Sequence, residues 1–265
     1  MNAFAFTSPS ELIPGDPANG LVLIADHARR ALPEPYGALG LPAAELERHI
    51  AYDIGVEDVT RALAERLGAT AVLCGFSRLL IDPNRGISDP TLIRQLYDGT
   101  IIPGNYPLSP EERQSRIERF YLPYHKAVAE TVATVENAHG RAPLIVSMHS
   151  FTPFLLGRKR PWEVGIPWDN DPRAVTPLIE ALQAGGDLTV GDNEPYDGAY
   201  PGDTMHRHAT TRGFAHALIE IRQDLIADRA GAAVWAARLA PILEAINARS
   251  DMHEVKHFGS RTDQS

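Results

Sequence analysis

The chain alternates short, continuous apolar runs with longer stretches in which apolar residues recur every three or four positions. Leu21-Val-Leu-Ile-Ala25 and Leu144-Ile-Val-Ser147 have the length and composition of strands buried on both faces. Residues 215–222 form a third strand, and its period of two sets Glu220, Arg222 and Asp224 opposite Ile219 and Ile221. Residues 69–75 and 78–81 are rich in β-formers, and residues 188–190 read as a brief strand. Helical spacing covers four regions. One opens at Pro42-Ala-Ala-Glu45 and runs to about Leu67, where Gly68 ends it. The next opens on a capping box, Ser109-Pro-Glu-Glu112, and continues to about His139 with a kink near Pro123. The last two span residues 171–185 and 229–248. Residues 1–20, 26–42, 82–107, 151–171 and 191–202 are broken by Pro, Gly and polar residues and read as loops. The polar tail from Asp251 is expected to fray. Strands alternating with helices predict one α/β domain, a mixed and mostly parallel sheet flanked by helices.

Composition narrows the function without choosing it. With 44% apolar and 22% charged residues, 265 residues can bury a sizeable core. A net charge of −9 argues against nucleic acid as the main partner, because phosphate binding needs a basic face. It leaves room for a small anionic substrate met by one or two local cations. No apolar run approaches the ~20 residues of a membrane helix, and the first residues lack a signal-peptide pattern. The single cysteine, Cys74, excludes an internal disulfide framework and suits a reducing cytoplasm, the expected location. A homo-oligomer is compatible with the sequence, which does not specify one.

Candidate chemistry gathers where strands end, since ligands of open α/β sheets bind beyond the carboxyl ends. His27 follows the Leu21 strand and His149 follows the Leu144 strand, and two imidazoles at one kind of edge suggest a shared metal. A hydrolytic zinc usually keeps three protein ligands. Neither His-Glu-x-x-His nor His-x-x-Glu is present, so the third ligand is open: Asp53, Asp26 or His49. Asp53 and His49 would share one helical face, with His49 in a supporting or substrate-binding role. In Ser77-Arg-Leu-Leu-Ile-Asp-Pro-Asn-Arg85, Arg85 and Asn84 could grip a carboxylate, while an Arg–Asp pair that uses one of the two arginines could simply brace the loop. Glu220, charged within an apolar strand, is a candidate general base, and Arg78 or Arg222 could steady a developing oxyanion. The polar stretch from Gly191 to His208, with Asn193, Tyr196 and His208, could close over a substrate.

Taken together, these residues resemble the N-formylglutamate amidohydrolase family. The matching stretches are Asp26-His-Ala-Arg29, Arg48-His-Ile-Ala-Tyr-Asp-Ile-Gly55, Ser77 to Arg85, Ser147-Met-His-Ser-Phe151, Gly191-Asp-Asn-Glu-Pro-Tyr196 and Ile219-Glu-Ile-Arg-Gln-Asp-Leu225. The resemblance implies a fold similar to zinc carboxypeptidases and aspartoacylases (phosphorylase/hydrolase-like), with residues 1–250 as catalytic domain and 251–265 as tail. It implies His27 and His149 as ligands of one Zn2+ per chain, Asn84 and Arg85 as the carboxylate grip, and Glu220 as general base. The expected activity is removal of a formyl or other acyl group from an N-acyl amino acid. The rival expectation is a carboxylate-binding protein on the same scaffold, without zinc. A serine hydrolase is set aside, because Gly75-Phe-Ser77-Arg-Leu79 lacks the second glycine of a nucleophile elbow.

Overall fold

In the computed structural model, which describes residues 6–264, the apolar runs align in one seven-stranded sheet. The strands in chain order are β1 (Ser10–Ile13), β2 (Leu21–Ala25), β3 (Thr70–Cys74), β4 (Leu96–Tyr97), β5 (Thr100–Ile101), β6 (Leu144–Phe151), β7 (Phe154–Leu155), β8 (Arg158–Lys159), β9 (Val164–Ile166), β10 (Val190–Asp192) and β11 (His216–Arg222). β4–β5 and β7–β8 are separate small hairpins, and the sheet order is β1-β3-β2-β6-β11-β9-β10. The central strands β3, β2, β6 and β11 run parallel, and β1 and β9 pair antiparallel at the flanks. All residues of β2, β3 and β6 are buried, as expected of parallel strands covered on both faces.

The helices are α1 (Val56–Leu67), α2 (Pro110–Arg116), α3 (Leu122–His139), α4 (Val175–Ala184), α5 (Thr204–His208) and α6 (Arg229–Asn247). One core layer packs α1, α4 and α6 against Leu23, Val146, Met148 and Ile219. The other packs α3 against Val22, Ile24, Ile145 and Leu218. Ser109 caps α2 by accepting from the Glu112 N–H at 3.2 Å, and a wide turn at Ile117–Tyr121 joins α2 to α3 just before Pro123.

Several expectations need correction. The helix predicted from Pro42 starts only at Val56, after a short 3-10 turn at Ala43–Glu47. Gly55 interrupts it at φ +83°, where an added Cβ would meet the Ile226 carbonyl oxygen at 2.0 Å, so the chain must turn there. Residues 78–81 are a buried turn and not a strand: the Leu80 N–H bonds the Ser77 carbonyl at 3.0 Å, and the Ser77 hydroxyl accepts from Leu79 at 3.2 Å. β1 lies within the expected lead-in loop, and β9 within the expected loop after β6. β6 itself continues past Ser147 and carries His149 inside the strand. The tail is held against the body: Met252 is buried in the core, and Arg173 donates to the Asp251 and Glu254 carbonyls at 3.2 and 2.6 Å.

Candidate metal centre and active-site cavity

β2 and β6 lie side by side with Ile24 opposite Ser147, so His27 emerges beside the continuing end of β6. β11 flanks β6 in parallel with Glu220 opposite His149, which sets their side chains on one face. Asp53 reaches the same point from the turn before α1, anchored by its N–H to the His27 carbonyl at 2.9 Å. The expected helical face shared by His49 and Asp53 does not exist, yet the turn still delivers Asp53.

His27 Nδ1 and His149 Nδ1 lie 3.3 and 2.8 Å from Asp53 Oδ2. Ligating atoms of the three side chains all lie within 4.8 Å of one another, and each residue is buried. The opposite ring nitrogens meet two further buried carboxylates: His27 Nε2 donates to Asp82 Oδ1 at 2.7 Å and His149 Nε2 to Asp26 Oδ2 at 3.2 Å. A carboxylate only accepts, so each Nε2 carries a proton, and Nδ1 meets Asp53 through a second proton or, in a neutral ring, through a lone pair. Two lone pairs and a carboxylate oxygen aimed at one point repel unless a proton or a cation lies among them. Histidines whose far N–H groups are held by carboxylates are the usual supports of a metal. This donor set of two imidazoles and one carboxylate fits a divalent ion such as zinc.

The electrostatics have the same origin. Burial alone would discharge His149, but the hydrogen bonds it makes to the Asp26 and Asp53 carboxylates hold its imidazole well above the usual range. Burial would raise Asp26, yet His149 holds it down at about 2. Asp53 and Asp82 are likewise lowered against burial, by the charges of His27 and Arg78. Arg78 bridges them, with Nη1 on Asp53 Oδ1 at 3.2 Å and Nη2 on Asp82 Oδ2 at 2.9 Å.

A cavity of about 270 Å³ opens over this cluster, and Glu220 lines it. Glu220 is 8% exposed, and its Oε2 is buried without a hydrogen-bond partner. Burial lifts its carboxyl to about 7. Arg78, Asn84, Arg85, His49 and Tyr196 also face the cavity. Asn84 Oδ1 accepts from the Thr204 N–H at 3.1 Å, and Arg85 lies over the Tyr200 ring at 5.1 Å. His49 meets Asp98 Oδ2 at 3.0 Å, and the Tyr196 hydroxyl accepts from Arg160 Nη1 at 2.9 Å.

Three predicted residues lie elsewhere. Arg222 is bound by Glu163 Oε1 at 2.9 Å and Asp224 Oδ1 at 2.8 Å beyond the cavity, so it is not available to an oxyanion there. Asn193, at φ +52°, braces a turn by accepting from Trp168 and Gly198 N–H groups at 2.8 and 3.1 Å. His208 donates through Nε2 to His125 Nδ1 at 3.0 Å, and His125 donates to the Pro83 carbonyl at 3.0 Å. That pair supports the Asn84 loop from behind. Conversely, Asp203, Tyr97, Tyr200 and Arg94 line the cavity, and spacing in the sequence singled out none of them. Asp82 as partner of His27 had one signal, its place in the Arg78 to Arg85 stretch.

A model of the N-formylglutamate amidohydrolase family matches residues 19–227. The N-formylglutamate deformylase of Pseudomonas aeruginosa is 28% identical over 226 residues, which covers 74% of this chain and 84% of that protein. A solved structure of a gene product from Agrobacterium tumefaciens superposes with a TM-score of 0.83 at 36% identity, covering 91% of this chain and 95% of that one. The crystal structure of N-formylglutamate amidohydrolase from Ralstonia eutropha JMP134 shares the fold, with a TM-score of 0.67 at 23% identity over 91% of this chain and 97% of that one.

Proposed function

The chain belongs to the N-formylglutamate amidohydrolase family, and from that premise we propose a zinc-dependent hydrolase that removes the formyl group from an N-formyl amino acid, N-formylglutamate first among them. His27, Asp53 and His149 would hold the ion, and Asp26 and Asp82 would orient the imidazoles. A divalent ion so held supplies Lewis acidity, polarising an amide carbonyl and acidifying water. Everything else falls to the chain. Asn84 and Arg85 bind the substrate carboxylate, which sets the amide across the cavity. Glu220 takes the proton of the attacking water and returns it to the departing amine, so its carboxyl ends unchanged. Arg78, rigid between two carboxylates, presents a fixed positive charge where the carbonyl oxygen gains electrons. Residues 1–250 would be the catalytic unit and 251–265 its tail, whose Asp251 and Glu254 carbonyls accept from Arg173.

One observation carries this reading: the orphaned Oε2 of a buried glutamate, in strand register with His149, lining the cavity above the two imidazoles. A carboxylate binder without hydrolysis has no use for an unpaired buried acid at that point. The test is formate and acetate release from a panel of N-formyl and N-acetyl amino acids by zinc-supplemented protein. Formate release that chelation abolishes is expected. Tight carboxylate binding with no release from any member overturns the reading.

A further inference from the structure

Three guanidinium groups face the cavity, from Arg78, Arg85 and Arg94. Arg78 is already paired with Asp53 and Asp82. The other two have no carboxylate partner among the described residues. Arg85 donates only to the Asn84 carbonyl, at 2.7 Å. Among the described residues Arg94 makes no hydrogen bond through its side chain, and its Nε is sealed from solvent and unpartnered. Two of the carboxylates that line the cavity are used elsewhere: Asp197 is bound by Arg261 at 2.6 Å, and Asp203 accepts from the His206 N–H at 2.7 Å.

Arg94 is nonetheless well held. Its guanidinium carbon lies 4.4 Å from the centroid of the Tyr97 ring, and that ring is flanked by Arg78 at 5.5 Å and His49 at 6.0 Å. Stacking on an aromatic face fixes the guanidinium plane and leaves its edge N–H groups free, in the fork that matches a carboxylate. The backbone beneath is fixed as well. The Arg94 carbonyl accepts from Asn105 Nδ2 at 2.7 Å, and Asn105 is gripped by the buried Arg116 at 2.6 Å. A half-buried cation whose Nε is sealed and unpartnered is costly unless an anion completes it.

We propose that Arg94 is a specificity-determining residue that receives a second acidic group of the substrate, so that Arg85 and Arg94 select dianionic N-acyl amino acids with a two-point clamp. This rests on the amidohydrolase reading above. It adds an assignment to the segment just before the β4–β5 hairpin, outside the strand ends that hold the metal ligands.

The test compares N-formylglutamate with N-formylglutamine, which differ at the end of the side chain in charge and hardly in shape, on zinc-supplemented protein. The wild type is expected to prefer the glutamate by roughly 10- to 100-fold in kcat/KM, the range of a charge-assisted hydrogen-bonded pair. Arg94→Met should bring that ratio to within about threefold, with the loss in KM more than in kcat. Arg94→Lys, which keeps the charge and loses the fork, should fall between. A wild type that takes both substrates equally overturns the role of Arg94 and leaves the amidohydrolase reading standing. That comparison needs no variant, so a folding defect in Arg94→Met cannot mask it. A ratio unchanged in Arg94→Met also overturns it, whereas a wild type that hydrolyses no N-formyl amino acid takes both readings down.

Discussion

Glu220 and His149 are matched residues of adjacent strands, and most of the proposed chemistry follows from that pairing. A carboxyl buried beside two imidazoles and three aspartates is raised by burial, which keeps it near neutrality, where a base both takes and returns a proton. Glu220→Gln preserves shape and removes the proton acceptor. Turnover should fall by roughly 10²- to 10⁴-fold while bound zinc stays at one per chain. Activity near the wild-type level would show that another group is the base. At this scale the sequence was informative where a residue type is out of place. Glu220 in an apolar strand and histidines after apolar runs are such cases. It was uninformative for Asp203 and Arg94, which are ordinary loop residues until the fold brings them to the cavity. Arg222 shows the opposite failure, since period two set it on the face of Glu220 but the strand ends there and local acids take it up.

At the scale of elements, strands were legible and turns were not. β2 and α6 fall close to where apolar runs and caps place them, because parallel core strands and capped helices have local signatures. The turn that carries Asp53 has a helical pattern of apolar residues, and only the contact between Gly55 and Ile226, far apart in sequence, breaks it. β1 is another element that depends on partners. Glu11 on this strand is bound by Arg61 of α1 at 2.8 Å and by Arg29, and both arginines also grip Glu57. Burial pushes the two glutamates up, but the arginine hydrogen bonds win, so both carboxyls are held below the ordinary value. A carboxyl lowered in the folded state adds stability above its unfolded pKa of ~4.3 and loses it as pH falls through the folded value. Melting temperature should therefore drop on acidification below about pH 5, and Glu11→Gln should make that drop shallower. An acid slope identical in the variant would show that the cluster contributes nothing, as many exposed ion pairs do.

Across the whole molecule, a chain of net charge −9 concentrates unpaired cations at one cavity. Asp53 and two imidazoles line it, Asp26 and Asp82 sit behind those rings, and two guanidinium groups that have no carboxylate partner among the described residues lie on its wall. On the proposed reading, such an arrangement would draw a divalent ion inward and an anionic substrate after it, whatever the overall charge. Among the described residues no helix is long and apolar enough to cross a membrane. The α/β class was legible from the alternation of strands and helices, whereas the sheet order was not, because the pairing of β11 between β6 and β9 depends on residues far apart in the chain. The most direct test is anomalous diffraction at the zinc edge from zinc-loaded crystals. A single peak about 2.0–2.2 Å from His27 Nδ1, His149 Nδ1 and an Asp53 oxygen is predicted, with Glu220 facing it across the cavity. A peak elsewhere, or none at full loading, would contradict the account.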